Sequence, residues 1–80
     1  LKIDQAFIRK MNEDDKSRVL VETLTKMASG LGLSTIAEGI EEKDQLDQLR
    51  EMGIDYIQGY YYGKPEPYDD ALRHLNAHFE

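Results

Sequence analysis

Apolar and polar positions fall in blocks along this chain, and the blocks switch between strand-like and helix-like periods. Leu1 to Asp4 reads as the end of a strand, and Ala6 to Met11 as a short helical or looping segment. Asn12 to Asp15 is a polar break that supplies N-cap candidates. After it Val19, Leu20, Leu24, Met27, Ala28 and Leu31 recur at helical spacing, with Ser29-Gly30 closing the helix. Leu33 to Ala37, with Thr35 and Ile36 inside it and Gly39 after it, suits a buried strand. A second helix is expected from about Lys43 to Met52, with Leu46, Leu49 and Met52 on one face and Gly53 as its C-terminal stop. Ile54 to Gln58 is the third strand. A loop rich in Tyr, Gly and Pro follows, and Asp69 or Asp70 caps a last helix that turns Leu72, Leu75 and Phe79 inward.

Strands alternating with helices of this length imply an α/β fold built from parallel βαβ units with right-handed crossovers. A doubly wound sheet and a β/α barrel both satisfy that periodicity. The barrel is favoured because polar, mostly charged groups finish all three strands, and barrel enzymes draw their chemistry from the C-terminal ends of several strands. Three strands cannot close a sheet. The first and third are therefore expected to present unpaired edges, which pair with other chains, so self-association to a dimer or larger assembly is expected.

Composition narrows the class. Eighty residues at 40% hydrophobic make at most one small domain, which buries only ~60% of its unfolded surface. The chain opens on Leu1 within a strand-like run, and reads as a piece of something longer. Sixteen acidic residues against ten basic ones give a net charge of -6, with no basic stripe for a DNA or RNA duplex. No cysteine is present, so disulfides and thiolate metal sites are excluded. No run approaches the ~18 apolar residues of a membrane span, which makes a cytoplasmic location the expectation.

Three strand-ending signatures carry the candidate chemistry. Lys2 sits in an apolar run, where an ammonium either snorkels to solvent or meets an anion such as a phosphate. Asp4, two residues on, is placed to hold it. Glu38 leaves its strand next to Gly39, where a carboxylate suits a hard cation or a base acting on metal-bound water. Glu41 lies on the same rim. Read alone, Glu38, Glu41 and Glu42 equally describe a solvated acidic loop ahead of a helix. Gln58 offers both a donor and an acceptor, and Tyr60 to Tyr62 either stack on a base or pack under the rim. His74 and His78 have a metal-compatible spacing, but no partner completes a site around them. Asp14-Asp15 and Asp69-Asp70 are better explained as helix-start residues than as metal ligands.

Lys2-Ile3-Asp4 with Phe7, Leu31-Gly32-Leu33, Ala37-Glu38-Gly39-Ile40-Glu41, Gly53, and Gln58-Gly59-Tyr60 through Gly63-Lys64-Pro65 together resemble the C-terminal part of the EAL family, the bacterial cyclic-di-GMP phosphodiesterases. The resemblance runs almost the whole length. It implies a TIM-type barrel and a metal-dependent cut of one phosphodiester in cyclic-di-GMP, giving linear 5'-pGpG. By that likeness Lys2 contacts the attacking water or the scissile phosphate, and Glu38 stands at the metal-water centre as base or metal ligand. Glu41 and Gln58 then support the site, with Asp4 behind them, and Tyr60 and Pro65 border a guanine pocket.

The family's Glu-Ala-Leu tripeptide, its early metal-binding Asn and Glu, and its Asp-Asp-Phe-Gly signature are absent from these residues. The expectation is a partial TIM-type barrel: the last three parallel strands with their following helices, residues 1–80 being about the last third of an EAL domain. Mg2+ or Mn2+ belongs to the complete domain, and the 80 residues alone are expected to hold neither metal nor cyclic-di-GMP tightly and to be inactive. Two other roles fit the same residues: a degenerate EAL module acting as a cyclic-di-GMP receptor, and a protein interaction platform.

Overall fold

The computed structural model describes residues 1–59 and 64–79, with the side chains of 75–79 set aside. The elements run β1 (Lys2–Ile3), α1 (Gln5–Lys10), α2 (Asp15–Gly30), β2 (Ile36–Ile40), α3 (Lys43–Met52), β3 (Tyr56–Gly59), β4 (Glu66–Pro67) and α4 (Tyr68–Phe79). The sheet order is β1-β2-β3-β4. Its first three strands are parallel, whereas β4 joins β3 antiparallel through Tyr56–Pro67 and Ile57–Glu66 pairs. This short fourth strand departs from the three-strand expectation. It occupies part of the β3 edge expected to be open, leaving β1 as the outer strand at the other side of the sheet.

Local signals place the helices. The Asp14 carboxylate accepts from the Lys16 amide at 2.9 Å and from the Ser17 hydroxyl at 3.3 Å, so α2 starts on a true N-cap. Helix α3 has the expected bounds. It opens on a capping box between Glu42 and Gln45 and stops at Gly53, whose φ of 84° is left-handed. Helix α4 begins at Tyr68, so Asp69 and Asp70 lie in its first turn, facing the positive end of the helix dipole, and are not its cap. The inward placement expected of Leu75 and Phe79 falls outside the described side chains.

Two strands sit later than expected, for one reason: backbone groups of their supposed first residues are committed elsewhere. The Leu33 amide donates to the Ala28 carbonyl to close α2, and the Thr35 amide donates to the Asp55 carboxylate, so β2 begins at Ile36. The Ile54 amide donates to the Leu49 carbonyl to close α3, and β3 begins at Tyr56. The inward line of α2 also differs. Val21, Thr25 and Ala28 are buried, whereas Val19, Leu20, Met27 and Leu31 are exposed. Leu20, Leu24, Met27 and Leu31 do share a face, but at ~100° per residue it is turned about a quarter-circle from the buried one.

The core gathers Ile3, Ile8, Val21, Ala37, Ile40, Leu46, Leu49, Ile57 and their neighbours between the sheet and the helices. Strand alternation explains the division. Ile3, Ala37 and Ile57 are buried on one face of the sheet, while Lys2, Ile36, Glu38, Tyr56 and Gln58 occupy alternate positions on the other and keep solvent access. Of the polar groups singled out in the sequence, Lys2, Glu38 and Gln58 thus share the sheet face opposite the buried one.

Candidate functional site

The register brings the strand-end groups together. Lys2 pairs with Ile36, Ile3 with Ala37, and Glu38 with Gln58. Lys2 therefore stands diagonally across from Glu38 on the same face, and its Nζ lies 3.7 Å from Glu38 Oε1. Lys2 is about half exposed and Glu38 about one-third, with side-chain exposures of 52% and 35%. An ion pair this accessible contributes little to stability, ~0 to 1 kcal/mol. Both groups stay open to a ligand.

Glu38 lies inside β2 rather than at its end, because the strand continues through a bulge. Gly39 is the extra residue between the Glu38–Gln58 and Ile40–Gly59 pairs, with φ 75°. A Cβ on Gly39 would come 2.4 Å from Gln5 Cβ and 2.6 Å from Gln5 Oε1, so glycine is required for the backbone angle and for the approach of α1.

Asp4 lies beyond β1, at the position before α1, where its carbonyl accepts from the Phe7 amide at 3.0 Å. The carboxylate that the structure brings to Lys2 is that of Glu38. Glu41 turns toward α1, and its Oε1 accepts from Arg9 Nε at 2.9 Å. Gln58 is half-buried, level with Glu38. Pro65 is exposed at the approach to β4, and Tyr60 lies outside the described residues. His74 Nδ1 lies 3.0 Å from Glu66 Oε2. Among the described residues no three His, Cys, Asp or Glu side chains converge on one point. Glu38 presents its carboxylate on the sheet face beside Lys2.

Two groups escaped the reading of the sequence. Gln45, only 3% exposed, accepts through Oε1 from the Glu41 and Glu42 amides at 2.8 and 3.0 Å, and its Nε2 donates to the Ile8 carbonyl at 3.5 Å. Glu42-x-x-Gln45 is a capping-box spacing, so a signal for it was present. Asp55 is the other. Its Oδ2 accepts from the Thr35 amide and hydroxyl at 2.9 and 3.2 Å, clasping the entries to β2 and β3, and no local pattern marks it.

Comparison with known proteins agrees with this geometry. The EAL domain family model matches residues 1–65. Cyclic di-GMP phosphodiesterase RocR of Pseudomonas aeruginosa is 33% identical over 77 residues, which are 96% of this chain and 20% of that protein. The PaMucR phosphodiesterase in complex with c-di-GMP superposes with a TM-score of 0.73 at 31% identity, over 89% of this chain and 29% of that one. The EAL domain protein of Listeria monocytogenes EGD-e superposes with a TM-score of 0.71 at 32% identity, over 95% and 31%. The chain thus spans about a fifth of RocR and under a third of these solved chains. With residues 1–65 matching the family model and 89% and 95% of the chain superposing on these solved chains, the chain belongs to the EAL domain family.

Proposed function

We propose that residues 1–80 form about the last third of an EAL domain that hydrolyses one phosphodiester of cyclic-di-GMP to linear 5'-pGpG. The observation that carries this reading is the Lys2–Glu38 pair, 3.7 Å apart on one sheet face across the parallel strands β1 and β2, with Gln58 level with Glu38 on β3. RocR and PaMucR, named for cyclic-di-GMP phosphodiesterase activity, support it. In the complete domain that face lines the inside of a TIM-type barrel, of which this chain supplies a partial wall. Lys2 places a positive charge where a scissile phosphate or its attacking water sits, and Glu38 offers a carboxylate to a cation or to a proton. Glu41 and Gln58 support them, Asp4 stands behind the first strand, and Tyr60 and Pro65 border the guanine.

Mg2+ or Mn2+, when bound, supplies an acidified water and neutralises phosphate charge. Its remaining ligands come from parts of the domain other than these 80 residues, so the isolated chain neither turns over cyclic-di-GMP nor binds it tightly. No described helix is long and apolar enough to cross a membrane.

The test is to introduce Lys2→Met and Glu38→Gln separately into the complete domain. Each is expected to lower 5'-pGpG release at least ~100-fold, on the scale of losing a group that acts at the reacting atoms. The folded state should change by under ~1 kcal/mol, as for an exposed pair. Turnover near the parent rate in either variant refutes the assignment. A parent that binds cyclic-di-GMP without cutting it is a receptor.

A further inference from the structure

We propose that Gln45 is a positioning residue for the phosphodiesterase site, holding the end of β2 against α1 and so setting the distance between Lys2 and Glu38; this rests on the functional reading above. The link between β2 and α3 is only Glu41 and Glu42, a turn that leaves two backbone amides needing an acceptor. One buried side-chain oxygen, Gln45 Oε1, serves both, while Nε2 of the same amide reaches the Ile8 carbonyl of α1. A single side chain thus ties together α1, α3 and the strand that carries Glu38.

Helix α1 meets the segment following Glu38 repeatedly, and from one side. Gln5 lies against Gly39, the Ile8 carbonyl takes Gln45, and Arg9 pairs with Glu41. One turn on, Asn12 donates to Glu42 at 3.4 Å and accepts from Gln48. Positions 5, 8 and 9 are spaced i, i+3 and i+4, so they share one face of α1, and Asn12 lies just past its end. Helix α1 begins two residues after Ile3, the neighbour of Lys2 in β1. Fixing α1 to the end of β2 therefore fixes the two charged groups relative to each other. Displacing a reacting group by about 1 Å is enough to cost ~100-fold in rate.

The experiment uses the full-length protein that contains these residues, with cyclic-di-GMP as substrate and saturating Mg2+ or Mn2+. Gln45→Met keeps the side-chain volume and removes the acceptor and the donor. Arg9→Met, at a half-exposed position, loosens the same contact without disturbing the core, and Arg9→Lys restores a cation for Glu41. Amide hydrogen exchange at Glu41 and Glu42 is read beside kcat and KM, well below each melting temperature. Gln45→Met is expected to speed exchange at those two amides at least ~10-fold relative to β3 and to lower kcat ~10- to 100-fold with little change in KM. Arg9→Met should lower kcat several-fold, and Arg9→Lys should recover it. Variants with wild-type kcat, or Gln45→Met exchange that rises no more at Glu41 and Glu42 than elsewhere, overturn the positioning role alone. A wild-type protein that leaves cyclic-di-GMP uncut overturns the functional reading and this inference with it.

Discussion

Substituting Gly39 by alanine separates two costs at the bulge that carries Glu38. The first is conformational. Gly39 has φ 75°, and an L-residue held there costs ~1 to 2 kcal/mol. The second is steric, because the new Cβ would lie 2.4 Å from Gln5 Cβ, which sits on the backbone of α1 and cannot swing aside as a side-chain tip would. Overpacking of this kind typically costs ~1 to 3 kcal/mol, so Gly39→Ala should cost ~2 to 5 kcal/mol in all. Gly53→Ala is the internal control. Its φ of 84° carries the same conformational penalty, while nothing lies within 4 Å of its Cβ position. Urea unfolding of the complete domain, with the slope checked for constancy, gives both values. The excess of Gly39→Ala over Gly53→Ala should be ~1 to 3 kcal/mol and should shrink in a Gln5→Gly background, where the opposing Cβ is gone. Equal costs for the two glycines, or a Gly39→Ala cost that is the same in both backgrounds to within ~0.5 kcal/mol, would refute the steric argument.

Three further outcomes are expected. Thr35→Val takes away the acceptor of the Asp55 amide at 3.3 Å and one donor to the Asp55 carboxylate, so the domain should lose ~1 to 3 kcal/mol in denaturant titration; a change under ~0.5 kcal/mol would remove the clasp from the account. The Tyr68 hydroxyl donates to the Leu46 carbonyl at 3.0 Å, and burial, opposed by Arg50 and reinforced by Asp47 and Asp69, pushes its phenol above the usual 10.0. A pKa raised on folding means that its stabilisation is complete below pH 10 and is lost as pH climbs through the folded value, so the melting temperature of the parent should fall more steeply above pH 10 than that of Tyr68→Phe; parallel curves would contradict it. Residues 1–80 produced alone should form dimers or larger assemblies through the outer edge of β1, as light scattering will read; a folded monomer at high concentration sinks this.

Where the chain carries its own instructions, the fold could be read from a few residues at a time. Helix α3 was legible to its ends because Leu46, Leu49 and Met52 recur within its own turns and Gly53 acts on the backbone it stops. The alternation of strands and helices was legible for the same reason, whereas Glu38 and Gln58, expected to finish their strands, lie inside β2 and β3. The positions of β2 and β3 were not, because Leu33, Thr35 and Ile54 look like strand residues until Ala28, Asp55 and Leu49 take up their amides. The buried line of α2 was also hidden, since a helix shows its apolar stripes but not which of them the sheet will cover. Lys2, Glu38 and Gln58 were identifiable one at a time as odd residues of strand-like runs. That Lys2 meets Glu38 rather than Asp4, and that Gln45 holds their support in place, depends on register and on contacts between distant segments, which short-range periodicity does not encode.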